Sequence, residues 1–368
     1  MKYRKETLME KETMEINVDL RDLMFDLENY VPAISTAELM NQPFAPTEYV
    51  VKGLLPKGLS ILGGAPKIGK SWLVLDLCIH IAKGEMFWGM DVQQGTAWYL
   101  CLEDKNDRVR QRLACITADA LNDLQISSFD HNLGTMADGL EETFHKFMRK
   151  YRNTRLIVID TFQMVRGHNK EPTYGGDYSD AQKLKHIADK YNIAILLVHH
   201  LRKMTDKDPV NKLSGTTGLS GAADTLFILD KSDRLEDVAT LTCTGRDIQQ
   251  RKLDLRFDKA NFVWNKISDS ADRDAPILPP DMVAFAEFMK SIGSYEGGNT
   301  ALAELFAQHS GITMSAKILK QKLNRWCCPL GDLGISFSSK ELHSGKVVIV
   351  RYTPPATHAS QVSQDSGA

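Results

Sequence analysis

The segment Gly64-Ala65-Pro66-Lys67-Ile68-Gly69-Lys70-Ser71 fills every fixed position of the pattern GxxxxGK[ST]. An apolar run at residues 59–62 precedes it, and a helical period over 71–83 follows it. Strand, glycine loop and helix in that order leave a chain few options. The glycines permit a tight loop whose backbone N–H groups wrap phosphate oxygens, and the positive end of the helix adds to them. Lys70 then reaches the β and γ phosphates, and the Ser71 hydroxyl ligates Mg2+. The expected binding set is Gly64, Ala65, Pro66, Lys67, Ile68, Gly69, Lys70, Ser71 and Trp72, with ATP and Mg2+ as the ligands.

The chain around that loop alternates apolar runs with helical periods. Strands are expected at 96–102, 126–129, 155–160 and 193–199, and helices at 107–116, 141–151 and 177–191. The first of those helices carries Arg108 and Arg112 on one face. Such alternation calls for a parallel sheet with helices on both faces. After His200 the pattern changes. Runs at 224–229, 238–243, 253–257 and 261–264 follow one another without helices between them, as in an antiparallel extension.

Outside this core, Ser35 and Glu38 suit a capping box on a short helix. Pro276, Pro279 and Pro280 suit an extended connector. Helical periods at 282–292, 300–309 and 315–324 then precede two short strands, 335–338 and 347–352, around Gly345. Three helices and a hairpin in that order are the winged-helix pattern. The expected organisation is therefore an arm over 1–33, a core over 34–273, a linker over 274–280, a winged-helix unit over 281–354 and a disordered tail over 355–368.

Two further segments bear on hydrolysis. Residues 155–160 form a buried strand ending in Asp160, the Walker B arrangement, where the carboxylate holds Mg2+ through water. The run 98–104 ends in adjacent acids, Glu103 and Asp104. In a parallel sheet such strand ends face the ligand crevice. Glu103 is the expected base that orients the attacking water, and Asp104 better suits the cap of the following helix.

Together with Leu196-Leu197-Val198-His199-His200, these segments resemble the RecA-type ATPase core. Within it they are most similar to the RepA-like hexameric helicases of plasmids, phages and mobile elements, AAA-type relatives of the DnaB and KaiC families. The resemblance covers residues 35–265. It implies an α/β, RecA-like core with a mostly parallel sheet, and a homo-oligomeric ring, a hexamer. It assigns His199 or His200 the sensing of the γ-phosphate. It likens the Gly/Ser/Thr stretch at 212–224 to a central-channel loop. It also places Arg246 as an arginine finger reaching a neighbouring subunit's nucleotide, although Thr244 stands where the family often has lysine.

Composition narrows the partners. A net charge of −2 argues against a polyanion binder taken whole and leaves room for a local basic surface. Residues 312–351 nevertheless hold seven Lys or Arg against Asp332 and Glu341, on the third helix and wing, where single-stranded or duplex DNA would lie. Such units also dock proteins, and an initiator or primase is a further expected partner. The six cysteines show no metal-ligand spacing and read mostly as core thiols. No apolar run approaches the ~18 residues of a bilayer span, and the start leads into no signal-peptide core, so a cytoplasmic protein without a membrane partner is expected. The function expected is an ATP-driven DNA motor or loader in replication, or alternatively a non-motor, ATP-dependent DNA-binding regulator on the same core. A small-molecule kinase is disfavoured, since no lid or substrate-phosphate motif follows the loop.

Overall fold

The computed structural model describes residues 33–39, 47–166, 174–201, 219–233, 236–272, 278–342 and 345–354. Residues 1–32 of the expected arm (1–33), residues 212–218 of the expected loop, linker residues 274–277 and the tail from 355 lie outside the described residues. Helix α1 (Thr36–Leu39) opens on the expected capping box. Glu38 N donates to Ser35 Oγ at 3.1 Å, and Ser35 N donates to Glu38 Oε2 at 2.9 Å.

Residues 46–277 form one compact unit. A two-stranded ribbon, β1 (Tyr49–Val51) and β2 (Leu55–Pro56), leads into β3 (Gly58–Gly64). Then follow α2 (Lys70–Lys83), β4 (Thr96–Cys101), α3 (Asn106–Ile116), β5 (Leu124–Ser128), α4 (Leu140–Lys150), β6 (Thr154–Asp160), α5 (Tyr174–Tyr191) and β7 (Ala194–His200). Short α6 (Leu219–Ala222) precedes β8 (Thr225–Asp230), β9 (Val238–Gly245), β10 (Arg251–Asp258) and β11 (Val263–Asp269). They build a nine-stranded sheet in the order β11-β10-β9-β8-β3-β7-β6-β4-β5. Strands β8 through β5 in that order are mutually parallel, and β9, β10 and β11 extend the sheet antiparallel. This is the α/β architecture of a RecA-like P-loop core.

Both faces of the central strands are buried, so their residues are apolar on both sides and alternate between two cores. Leu156, Val158, Leu196 and Val198 face α2, whereas Ile157, Ile159, Ile195 and Leu197 face α4 and α5. Helix α2 ends at Gly84, whose φ of 74° and N–H to His80 O close its last turn. No helix among the described residues is long and apolar enough to cross a membrane.

Some elements differ from the sequence expectation. The last strand, expected at 261–264, begins at Val263 and runs to Asp269. Residues 259–262 are a turn instead: the Asp258 carboxylate accepts from Ala260 N at 2.8 Å and Asn261 N at 3.2 Å, and Phe262 has φ 58°. Strand β5 ends before Phe129, which is exposed. Asp104 does not cap α3. The residue at that position is Lys105, and Asp130 Oδ2 accepts from Asn106 N at 2.9 Å.

Described by itself, the unit from Leu278 comprises α7 (Pro280–Ile292), β12 (Ser294–Gly297), α8 (Asn299–Ser310), α9 (Ala316–Arg325), α10 (Cys327–Asp332), β13 (Ile335–Leu342) and β14 (Gly345–Tyr352). Its sheet order is β12-β14-β13, all antiparallel. Phe285, Phe288, Leu302, Phe306, Leu319, Leu323, Val348 and Val350 form its core. The sequence pattern shows the three main helices and the hairpin; β12 and α10 are additions. Four residues of mixed polarity such as Ser294–Gly297 carry no usable period.

Candidate active site

The phosphate loop leaves β3 at Gly64 and turns into α2 at Gly69. A side chain at Gly64 would meet Leu229 O at 2.8 Å. Gly69 has φ 99°, and a Cβ there would lie 2.9 Å from Trp264 Nε1. Both positions therefore require glycine, one for close approach and one for backbone conformation. Helix α2 opens with no side-chain cap and no acidic residue in its first turn. Its positive end is thus left for an anion, which fits the phosphates of a nucleotide.

Around this loop the chain forms a cleft of about 360 Å³. Lys67, Ile68, Gly69, Lys70, Ser71 and Trp72 line it from the loop, and Glu103, Asp160 and His200 from the ends of β4, β6 and β7. These sequence-predicted residues come together because parallel strands end on one side of the sheet. The adjacent histidines separate by strand alternation. His200 lines the cleft, whereas His199 is buried at 4% exposure and is not among its walls.

The polar contacts give each group a definite state. Lys70 is 4% exposed, and its Nζ donates to Gly64 O and Ala65 O, both at 2.8 Å. Burial lowers its pKa to about 8, against the opposing pull of the Asp160 and Glu103 charges. Nζ also lies 3.2 Å from His200 Nδ1. Burial, then the nearby Lys70 charge, lowers the His200 pKa, so a neutral ring accepts there through Nδ1. His200 Nε2 is 3.9 Å from Glu103 Oε1. Thr161 Oγ1 donates to Glu103 Oε1 at 2.8 Å, which orients that carboxylate.

Asp160 is buried, and burial raises its pKa, opposed by hydrogen bonds from Ser71 and Tyr99. Ser71 and Asp160 together present a hydroxyl and a carboxylate, hard oxygen donors of the kind Mg2+ takes beside nucleotide phosphates and water. Among the described residues no cluster of three His, Cys, Asp or Glu could hold a metal by itself. A nucleotide-shared ion is what this donor set fits. Asp104 is not available as a second base: its carboxylate is tied to Arg108 at 2.9 Å and to Arg112.

Four lining residues lie outside the sequence expectation: Arg112, Lys231, Phe257 and Trp264. Trp264 Nε1 donates to Gly69 O at 3.1 Å, so the β10–β11 hairpin closes over the loop. The Lys231 ammonium sits 5.1 Å from the Trp264 ring centre, and the Arg112 guanidinium 5.7 Å from that of Trp72. Aromatic and cationic groups of this kind suit the base end of a nucleotide. In the sequence, Phe257 and Trp264 look like ordinary strand residues. The turn at residues 259–262 folds β11 back on β10 and sets Trp264 against the loop, opposite Phe257.

Arg246, like His199, stays out of the cleft. Gly245 pairs with Thr225 at the start of β8, whereas Gly64 pairs with Leu229 near its end. At ~3.3 Å per residue the strand separates Arg246 from its own loop by ~13 Å or more. Its side chain is 67% exposed and lies 3.8 Å from Asp224 Oδ1. In the second unit, Lys322, one of the seven bases, is paired with Asp281 of α7, which removes it from any outward-facing set.

Residues 28–206 match the family model of an AAA domain. That is just under half the chain, and it spans the phosphate loop, Glu103, Asp160 and the histidine pair but not Arg246. No curated protein matches the chain. The match supports a nucleotide-binding P-loop ATPase in general.

Proposed function

We propose that the chain is an ATP-hydrolysing, ring-forming DNA motor, similar to RepA-type replicative helicases or their loaders, serving replication of a plasmid, phage or mobile element. The observation that carries the ATPase part is the convergence of Lys70, Ser71, Glu103, Asp160, Thr161 and His200 on one cleft. ATP enters with its phosphates on the loop and α2, and its base toward Trp72, Trp264, Lys231 and Arg112. Ser71 and Asp160 would hold Mg2+, which when bound neutralises charge on the β and γ oxygens. Glu103, held by Thr161, takes a proton from water as that oxygen bonds to the γ phosphorus. The bond to the β–γ bridging oxygen breaks, leaving ADP and phosphate. His200 links Lys70 to Glu103 and so responds to whether the γ-phosphate is present.

Support for the ring is the place of Arg246, exposed at the far strand ends where its own nucleotide is out of reach. We read the unit from 278 as a winged helix in which Lys317, Lys320 and Arg325 of α9 and Arg351 of β14 offer positive charge to DNA. The assembly mass with and without ATP and single-stranded DNA, followed by strand displacement on a forked duplex, tests the reading. A ring that separates strands is expected. A monomer under all conditions would overturn it, and a ring that binds DNA without separating strands would leave the regulator.

A further inference from the structure

We infer that Tyr99 is a positioning residue for the carboxylate that holds the metal: its hydroxyl fixes Asp160 so that the free side of the carboxylate meets Ser71 and the Mg2+–nucleotide. This rests on the reading of the cleft as an Mg2+-dependent ATPase site, and no motif assigns Tyr99 a part in it.

The geometry comes from strand register. Cys101 of β4 pairs with Asp160 of β6, and Tyr99 pairs with Val158. Tyr99, Cys101 and Val158 all lie on the α2 face of the sheet, and alternation puts Asp160 there too. Tyr99 is therefore the diagonal neighbour of Asp160 on one face, within reach of a long side chain. Its hydroxyl donates to Asp160 Oδ2 at 2.8 Å, and the whole side chain is 1% exposed. Ser71, at the start of α2, also hydrogen-bonds to the same carboxylate.

Packing alone does not explain a hydroxyl here. Tyr99 sits among Ala97, Cys101, Leu156 and Val158 in an apolar core, where phenylalanine would fill the same space. A buried hydroxyl without a partner is costly, and this one is spent on the single acid of that core that the cleft uses. Arg112, whose charge bears on Tyr99, comes from α3, and Cys101 from the same strand; neither takes the hydroxyl's bond. A carboxylate with one oxygen held from the strand side keeps one rotamer, which is what an outer-shell partner does for a metal ligand.

The test is Tyr99→Phe in the full chain, read by calorimetric binding of ADP with Mg2+ and with chelator, beside ATP hydrolysis as Mg2+ is raised. Wild type should bind ADP more tightly with Mg2+, and Asp160→Asn should lose that gain. The expected result for Tyr99→Phe is metal-free ADP binding within about twofold of wild type, with a Mg2+ half-saturation raised ~10–100-fold, the usual cost of removing such a partner. In an Asp160→Asn background the same change should do nothing further. An unchanged Mg2+ requirement in Tyr99→Phe would overturn the inference. So would loss of cooperative melting in that variant, which would make the hydroxyl a folding group. Wild type without any Mg2+-dependent binding would overturn the ATPase reading itself, and the inference with it.

Discussion

Replacing Arg246 by alanine separates a ring ATPase from one that works alone. The guanidinium is 67% exposed and lies 3.8 Å from the Asp224 carboxylate. Asp224 keeps Lys185 and Leu59 N, the latter at 3.2 Å, when the arginine goes. Loss of so exposed a pair should cost below about 1 kcal/mol of stability. If the same side chain stabilises the transition state in a neighbour's cleft, its loss should instead cost about 10³–10⁵ in turnover. Those two magnitudes differ enough for an unchanged melting curve with collapsed turnover to locate the effect in catalysis. Mixing then tells cis from trans. A subunit carrying Arg246→Ala has an intact loop, and one carrying Lys70→Ala has an intact finger. In a closed ring with head-to-tail contacts, random mixing makes about a quarter of interfaces complete. An equimolar mixture should therefore recover about a quarter of wild-type turnover, where each variant alone has almost none. No recovery, in a mixture shown by mass to contain both subunits in one ring, would refute the trans placement.

Glu103→Gln should lower single-turnover hydrolysis about 10²–10⁴-fold with ATP affinity kept, and Thr161→Val should give a smaller loss of the same kind, because only the orientation of Glu103 goes. Calorimetry beside quenched-flow hydrolysis checks both, and wild-type turnover in Glu103→Gln would remove Glu103 as the base. Burial sets Lys70 at about 8, below its ordinary 10.5, so the cost of the buried charge is present below pH 8 and fades as pH rises from 8 to 10.5. Nucleotide binding needs that charge, so between pH 7.5 and about 9 affinity should fall while this group's contribution to apo-protein stability rises. Lys320→Glu with Arg325→Glu in the full chain should flatten the dependence of log K for DNA on log salt, each phosphate left without its cation taking about 0.9 off a duplex slope. An unchanged slope would place the DNA-binding surface on the core.

What the sequence made legible follows from how far apart the cooperating atoms lie along the chain. The loop from Gly64 to Ser71 is one local segment whose spacing encodes its own geometry, and its setting between β3 and α2 stands as read. Asp160 and Glu103 were legible by a weaker route: parallel strands deliver their C-terminal ends to one crevice, so acids at two strand ends must meet. Tertiary geometry had to decide between His199 and His200, which are equivalent in a motif but point to opposite faces of β7. Asp104 is a case where local propensity lost. An acid before a helix reads as a cap, but two arginines one and two turns further on in α3 drew its carboxylate sideways.

Of the residues that escaped altogether, Lys231 follows β8, whereas Phe257 and Trp264 face each other across the β10–β11 hairpin, whose register is set by the turn at residues 259–262. That turn hangs on Asp258 accepting two backbone N–H groups and on Phe262 at positive φ, a conformation no propensity scale favours for phenylalanine. Its consequence is that a side chain at Gly69 would run into the Trp264 ring. The motif glycine and the distant tryptophan therefore constrain each other. A P-loop pattern records half of that relation, and the other half is written almost two hundred residues away, in a strand that resembles any other.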